Sequence, residues 1–369
     1  MKNKVLIITK DPKSKGGVVN YYNNFFNSFS DDEIQLEWFV IGSRAKDYYE
    51  RQNRGFKYFI ELLRDIFAFI SKLIVDKEIK IVQVSPSFFT VPVIRDFIFL
   101  FIAQLFGKKT ITFIRGWNTK YSQQKSFWKT VMFRTYKKAD ETIVLAGKFK
   151  DQLVNFFGFD PNKVSISRTM FNKEDIVLKE KFEDETLKIV FLSRISKEKG
   201  IFQILEAINL LKDQKLNYKI NVFGHFANTE IEKEIKELIS KHGIEQYIEF
   251  CGFADKATKF KAYAENDIFI LPTAHDEGCP NSVIEALGAG LYVMATPVGA
   301  IDEIVKNKIN GDIISIDTHK DLMDSIKYCV ENKATLKPLA HNNIDYANNN
   351  FEQNVIVSQI KGIYRKLLK

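Results

Sequence analysis

Strand-length apolar runs alternate with helix-period segments along nearly the whole chain, and few folds are open to a chain written this way. In the first half the runs Val5–Thr9, Leu36–Ile41, Ile81–Val84, Thr110–Ile114 and Thr142–Leu145 are each followed by a helical pattern, at 18–29, 57–76, 93–106, 125–138 and 148–157. Strands joined by crossover helices lie parallel in one sheet. A second series begins at Lys188–Leu192 and continues at 219–223, 247–250, 267–271, 291–295 and 313–316. At 369 residues the chain is too long for one ordinary core, so two α/β domains of the doubly wound, Rossmann-like kind are expected.

The charged, apolar-poor stretch Lys173–Thr186 marks the junction, which predicts an N-terminal domain over 1–172 and a C-terminal domain over 187–349. The tail 350–369 carries Phe351, Val355, Ile360, Ile363 and Leu367 at spacings that predict one buried helix face. Residues 88–107 are strongly apolar but are interrupted by Pro92 and Arg95-Asp96, which predicts a crossover helix rather than a membrane span. The start, Met1-Lys2-Asn3-Lys4 and then a strand-length apolar run, does not read as a secretory signal, so a cytoplasmic location is expected. Cys251, Cys279 and Cys329 fit neither a disulfide framework nor metal-ligand spacing.

Charge is divided unevenly. Residues 1–170 hold 28 Lys and Arg against 16 Asp and Glu, a net of +12, and the remainder stands at −4. Phenylalanine follows the charge, with 21 of 32 before residue 171, and basic plus aromatic favours an anionic lipid surface over a nucleic-acid groove. The segment 120–138, with Phe127, Trp128 and Phe133 among lysines, is either a helix on such a surface or a domain helix with its aromatic face in the core.

Chemistry concentrates at 276–300. Glu277 and Glu285 flank a loop, Gly278-Cys279-Pro280-Asn281-Ser282, that opens a helix, and the strand run Leu291–Ala295 follows. A helix N-terminus presents unpaired amides to a diphosphate, and nearby carboxylates can accept hydrogen bonds from sugar hydroxyls. Ser282-x-x-Glu285 also fits a capping box, so Glu285 is either a ligand contact or the partner of a capping Ser282. About 80 residues earlier, Ser193-Arg194-Ile195-Ser196-Lys197-Glu198-Lys199-Gly200 joins a strand to a helix, and Arg194 and Lys199 are suited to a diphosphate unless they are simply solvated. Phe253 follows another strand and is either a stacking surface for a base or core. Gly16-Gly17, after the first strand, permits close backbone approach.

Together these elements resemble glycosyltransferase family 4. The acids Glu277 and Glu285 eight residues apart, then Ala286 to Gly290, match its nucleotide-binding segment; Arg194 to Gly200 resembles its Gly-Arg-x-x-x-x-Lys-Gly element with Ser193 for the first Gly; Gly16-Gly17 resembles its first-domain glycines. The resemblance implies the GT-B fold, with domains facing across a cleft, the first binding the acceptor and the second the nucleotide sugar, and a closing helix returning to the first domain. It implies retaining transfer from a nucleotide-diphosphate sugar to a glycan or lipid-diphosphate-linked acceptor, in cell-surface polysaccharide assembly.

In that reading Glu277, Arg194 and Lys199 are catalytic, and Gly16, Gly17, Phe253, Gly278, Cys279, Asn281, Ser282 and Glu285 bind the donor. No metal or other cofactor is expected, and the sequence has no Asp-x-Asp triplet. Many members carry a His after the fourth strand. Here that loop is Ile114-Arg115-Gly116-Trp117-Asn118 and all five histidines lie in the second half, so Arg115 is read as an anion contact to acceptor or donor, or as a structural ion pair. Two competing readings remain, a nucleotide-sugar isomerase on the same fold and a basic nucleic-acid binder, although no nucleic-acid module is recognisable and nucleic acid is an unlikely partner. The expected location is the cytoplasm, with peripheral attachment to the inner face of the membrane.

Overall fold

The computed structural model describes residues 2–14, 16–42, 55–88, 90–118, 127–315 and 319–369. It divides into two compact units, Met1–Arg168 with Gln353–Lys369, and Thr169–Glu352.

The first unit is built on the strands Asn3–Thr9 (β1), Ile34–Val40 (β2), Ile79–Val84 (β3), Lys109–Phe113 (β4), Glu141–Val144 (β5) and Val164–Ile166 (β6). They form one parallel sheet in the order β2-β1-β3-β4-β5-β6. The inner strands are apolar on both faces because helices cover both sides, which is why they read as continuous apolar runs. Sequence patterning missed β6, since three residues with Val164 alone buried make no run.

The helix Gln353–Leu368 packs on the helix Gly17–Ser28 and on β3. Tyr364 donates to Gln83 Oε1 at 2.8 Å, and Arg365 pairs with Asp31 at 2.8 Å. Its buried face is Ile356, Val357, Ile360 and Tyr364. This corrects the stripe expected from sequence. Phe351 ends the preceding helix, and Val355, Ile363 and Leu367 are only half-buried, because Tyr364 takes the central position and turns the face by about one residue.

The second unit contains Leu187–Leu192 (β7), Tyr218–Phe223 (β8), Ile248–Gly252 (β9), Ile268–Leu271 (β10), Tyr292–Ala295 (β11) and Gly311–Ile313 (β12). All are parallel, in the order β12-β11-β10-β7-β8-β9. Read from β9 this is the 3-2-1-4-5-6 order of a doubly wound sheet, whose direction of winding reverses between β7 and β10. The stretch 173–186 packs on this unit. Lys181 is buried and donates to Tyr263 O, Ala264 O and Asn266 O at 2.7–2.9 Å, completing the carbonyl end of the helix Lys256–Glu265. The helix Lys333–Phe351, with Pro338 in its second turn, was not legible in the sequence because its apolar spacing is weak.

Candidate active site

In doubly wound sheets ligands bind at the carboxyl ends of the strands where winding reverses, and here the chains leaving β7 and β10 both start at that point. Both connections are locked in place by backbone bonds. Ile195 donates to His225 O at 2.9 Å, and Ala227 donates back to Ile195 O at 2.9 Å. The Glu198 carbonyl accepts from Ala274 N at 2.8 Å, His275 N at 3.2 Å and Thr273 Oγ1 at 3.1 Å, tying the β7 loop to the β10 loop. Gly200, at φ +88°, begins the next helix so close to Pro272 that any side chain there would overlap the Pro272 carbonyl.

This interlock brings Lys199 and Glu277 together from 78 residues apart. Their side chains form a short, largely buried ion pair. Arg194 projects from the start of the same loop and is exposed. Glu277 is set by its own backbone support: Ala300 donates to Gly278 O at 2.8 Å, and Thr296 Oγ1 to Thr273 O at 2.5 Å. Gly299, at φ +61°, lies against the carbonyls of Glu277 and Gly278 where no Cβ could stand. Sequence reading did not single out Gly299; the signal was its place two residues past Thr296-Pro297, at the end of a buried strand.

The helix Asn281–Gly288 follows directly. Pro280 occupies the N-cap and no side chain caps the first turn, so Ser282 lies inside the helix and the capping box expected as the alternative for Glu285 does not form. Asn281 and Ser282 are half-buried on that turn. Cys279 is buried, its carbonyl and Sγ each accepting from Thr169 Oγ1 at 3.2 Å. Glu285 is 8% exposed. It accepts from Lys259 Nζ at 2.7 Å and from Tyr263 O–H at 3.3 Å. Burial pushes its carboxyl above the ordinary range, against the pull of Lys259. The two acids thus have separate environments, Glu277 with Lys199 and Glu285 with the helix Lys256–Glu265.

Phe253 is 61% exposed, which removes the core alternative. It stacks flat on the exposed ring of His225, with centroids 4.7 Å apart and planes 8° from parallel. The pair stands just past β8 and β9, where Gly224 donates to Gly252 O at 2.8 Å and Gly252 adopts φ +78°. His225 is a second residue that sequence reading passed over.

In the first unit Gly16, at φ +139°, is the N-cap of the helix Gly17–Ser28, and both glycines are exposed with open space at their Cβ positions. Arg115 follows β4 and is buried, its guanidinium 3.7 Å over the Tyr21 ring and 4.7 Å from the Phe113 ring centre. Of the segment 120–138, residues 120–126 and the Trp128 side chain lie outside the described residues. The helix Phe127–Lys137 keeps Phe127 exposed, whereas Phe133 is buried, stacked 4.5 Å from Phe157.

Comparison with known proteins bears on both units. The sequence model of the family described as glycosyl transferases group 1 matches residues 172–350. Curated relatives include a glycosyltransferase of Methanocaldococcus jannaschii, MJ1069, 26% identical over 65% of this chain and 62% of that protein. Another is the capsular polysaccharide biosynthesis glycosyltransferase CapM of Staphylococcus aureus, 24% identical over 62% of this chain and 59% of that protein. The chain thus spans less than two thirds of the length of these relatives.

Among solved structures, sucrose-phosphate synthase from Thermosynechococcus elongatus superposes with TM-score 0.75 at 14% identity, over 100% of this chain and 99% of that one. Anabaena HepE in complex with UDP and glucose gives TM-score 0.73 at 14% identity, over 98% and 99%. The fold of the chain is therefore GT-B, with two Rossmann-like units.

Proposed function

We propose that the chain is a glycosyltransferase that moves a sugar from a nucleotide-diphosphate donor to a glycan or lipid-diphosphate-linked acceptor, in cell-surface polysaccharide assembly. The observation that carries this reading is the Lys199–Glu277 pair at the winding reversal, with Arg194 on the same loop and the uncapped helix Asn281–Gly288 beside it. Relatives named for capsule and amylovoran synthesis, and a neighbour holding UDP and glucose, support the substrate class.

In this reading the donor diphosphate rests on the first amides of Asn281–Gly288, with Arg194 and Lys199 as its counter-charges. Preorganised cations stabilise the charge that grows on the leaving diphosphate. Glu277 holds Lys199 in place and accepts hydrogen bonds from sugar hydroxyls, and the Phe253–His225 stack offers its outer face to the base. The acceptor O–H bond breaks as the new bond to the sugar's anomeric carbon forms on the face that the diphosphate leaves. The proton passes to a donor phosphate oxygen, so configuration is retained and the protein's own cations carry the charge without a metal ion.

We further propose that the first unit lies on an anionic membrane surface. The helix Gly55–Val75 buries Glu61, Asp65, Phe69 and Leu73 and exposes Phe59, Ile60, Leu63, Phe67 and Ile74, with Phe67 at 69%. An apolar exposed face on a unit rich in cations suits a lipid interface. Among the described residues no helix is long and apolar enough to cross a membrane.

The test is a panel of nucleotide sugars screened for thermal stabilisation, then for nucleotide release with lipid-diphosphate acceptors. Glu277→Gln and Arg194→Ala should each cut turnover by about 100-fold with the fold intact. Unchanged rates in both refute the site. Isomerised nucleotide sugar without any acceptor would replace transfer by isomerisation.

A further inference from the structure

Arg115 is 7% exposed, and its Nε and Nη1 are buried without a hydrogen-bond partner. Among the described residues it pairs with no carboxylate. A guanidinium cannot shed its proton to escape this, and a buried cation is ordinarily matched by an anion. The phenols beside it are neutral: burial pushes Tyr21 and Tyr22 above their ordinary value, so neither supplies a charge at neutral pH.

The surroundings also select how the cation is available. Tyr21 lies 3.7 Å and Phe113 4.7 Å from the guanidinium carbon, the two rings set edge to face at 88°. These ring contacts use no N–H donor, and Nε and Nη1 remain for two oxygens of a carboxylate or phosphate. Tyr21 O–H is likewise buried and unpartnered, while its neighbour Tyr22 is fully engaged with Ser85 Oγ at 2.5 Å and Gln83 Nε2 at 3.0 Å.

The backbone under Arg115 is fixed from both sides. Arg115 N donates to Pro86 O at 2.9 Å and Phe88 N to Gly116 O at 2.8 Å. Gly116 sits where a Cβ would come within 2.8 Å of Ser87 Oγ. A rigid backbone, ring contacts that use no donor and two unused donor nitrogens together describe a receptor held ready for an anion.

We propose that Arg115, with the Tyr21 hydroxyl, binds an oxyanion carried by the acceptor, so that the protein extends an acidic acceptor rather than a neutral one. This rests on the reading that the first unit holds the acceptor. The oxyanion has two sources, the carboxylate of a uronic acid in the glycan or the phosphate of a lipid-diphosphate carrier.

The experiment measures binding of D-glucuronate, inorganic phosphate and D-glucose to the full chain by ligand-observed NMR, for wild type, Arg115→Gln and Arg115→Lys. UDP, GDP and ADP binding is followed in parallel. Wild type should bind glucuronate or phosphate and not glucose, Arg115→Gln should weaken the anion by at least about tenfold, and Arg115→Lys should fall between. Preference for glucuronate assigns the glycan carboxylate, and preference for phosphate assigns the carrier.

Arg115→Gln should leave nucleoside diphosphate binding unchanged and the melting temperature equal or higher, since it removes an uncompensated charge; a structural arginine would lower it. Anion binding equal in wild type and Arg115→Gln, or no anion bound more tightly than glucose, overturns the proposal. Arg115-dependent anion binding without any nucleoside diphosphate binding would refute the donor reading and uphold this one.

Discussion

Gly299→Ala perturbs the candidate site without altering any side chain assigned to a ligand. Gly299 adopts φ +61°, and an added Cβ would stand 2.5 Å from Gly278 O and closer still to Glu277 O. Ordinary carbon–oxygen contact requires the Glu277–Gly278 backbone to retreat by about 0.5–1 Å. Displacement on that scale can cost up to about 100-fold in rate when it moves a positioned group, so turnover should fall about 10- to 100-fold.

The left-handed backbone itself costs an alanine about 1–2 kcal/mol, which lowers the melting temperature by about 2–8 °C. Gly107→Ala is the matched control: Gly107 adopts φ +65° with nothing within 4 Å of its Cβ position, so it carries the same backbone cost and no clash. Melting temperature and nucleotide release from the cognate nucleotide sugar are measured for both. Equal turnover in the two variants would refute the claim that Gly299 sets the position of Glu277.

Phe253→Ala should weaken nucleoside diphosphate binding about three- to tenfold while leaving stability nearly unchanged, because the ring is exposed; calorimetric titration reads it, and unaltered affinity removes the base-stacking role. Glu285 has a raised folded-state pKa, so the folded state holds its proton longer than the unfolded chain does. The stability of wild type relative to Glu285→Gln should therefore be greatest below the ordinary carboxylate value and decline as pH rises through the folded pKa, followed by thermal melts across acidic to neutral buffers; a difference that grows with pH contradicts the burial argument. Wild type should float with anionic liposomes at low salt and less at moderate salt, whereas Phe59→Glu with Phe67→Glu should not; flotation of neither, or of both equally, removes the membrane reading.

Local pattern and tertiary contact contributed different parts. Ten of the strands follow from apolar runs, the inner ones most clearly, because a strand covered on both faces must be apolar along its length; the run at 313–316 meets β12 only at Ile313. Val164–Ile166 left no such run, since an edge strand of three residues needs only one buried side chain. The loop glycines, the cations of Arg194 and Lys199 and the acids of 277 and 285 were legible as types at the ends of elements. The pairing of Lys199 with Glu277 was expected only as common proximity to a ligand, and the capture of Glu285 by Lys259 was not expected at all.

What the order of residues determined by itself was therefore the two-unit, parallel α/β architecture and the loops where chemistry gathers, because both are recorded in periodicity and punctuation over a few residues. The tertiary structure alone decided that Phe253 stands in the open against His225, that Arg115 is buried over Tyr21 with two donor nitrogens unused, and that Gly299 braces Glu277. Those facts depend on dielectric, burial and contact between segments tens of residues apart, and no local spacing encodes which side chain a remote loop will bring near.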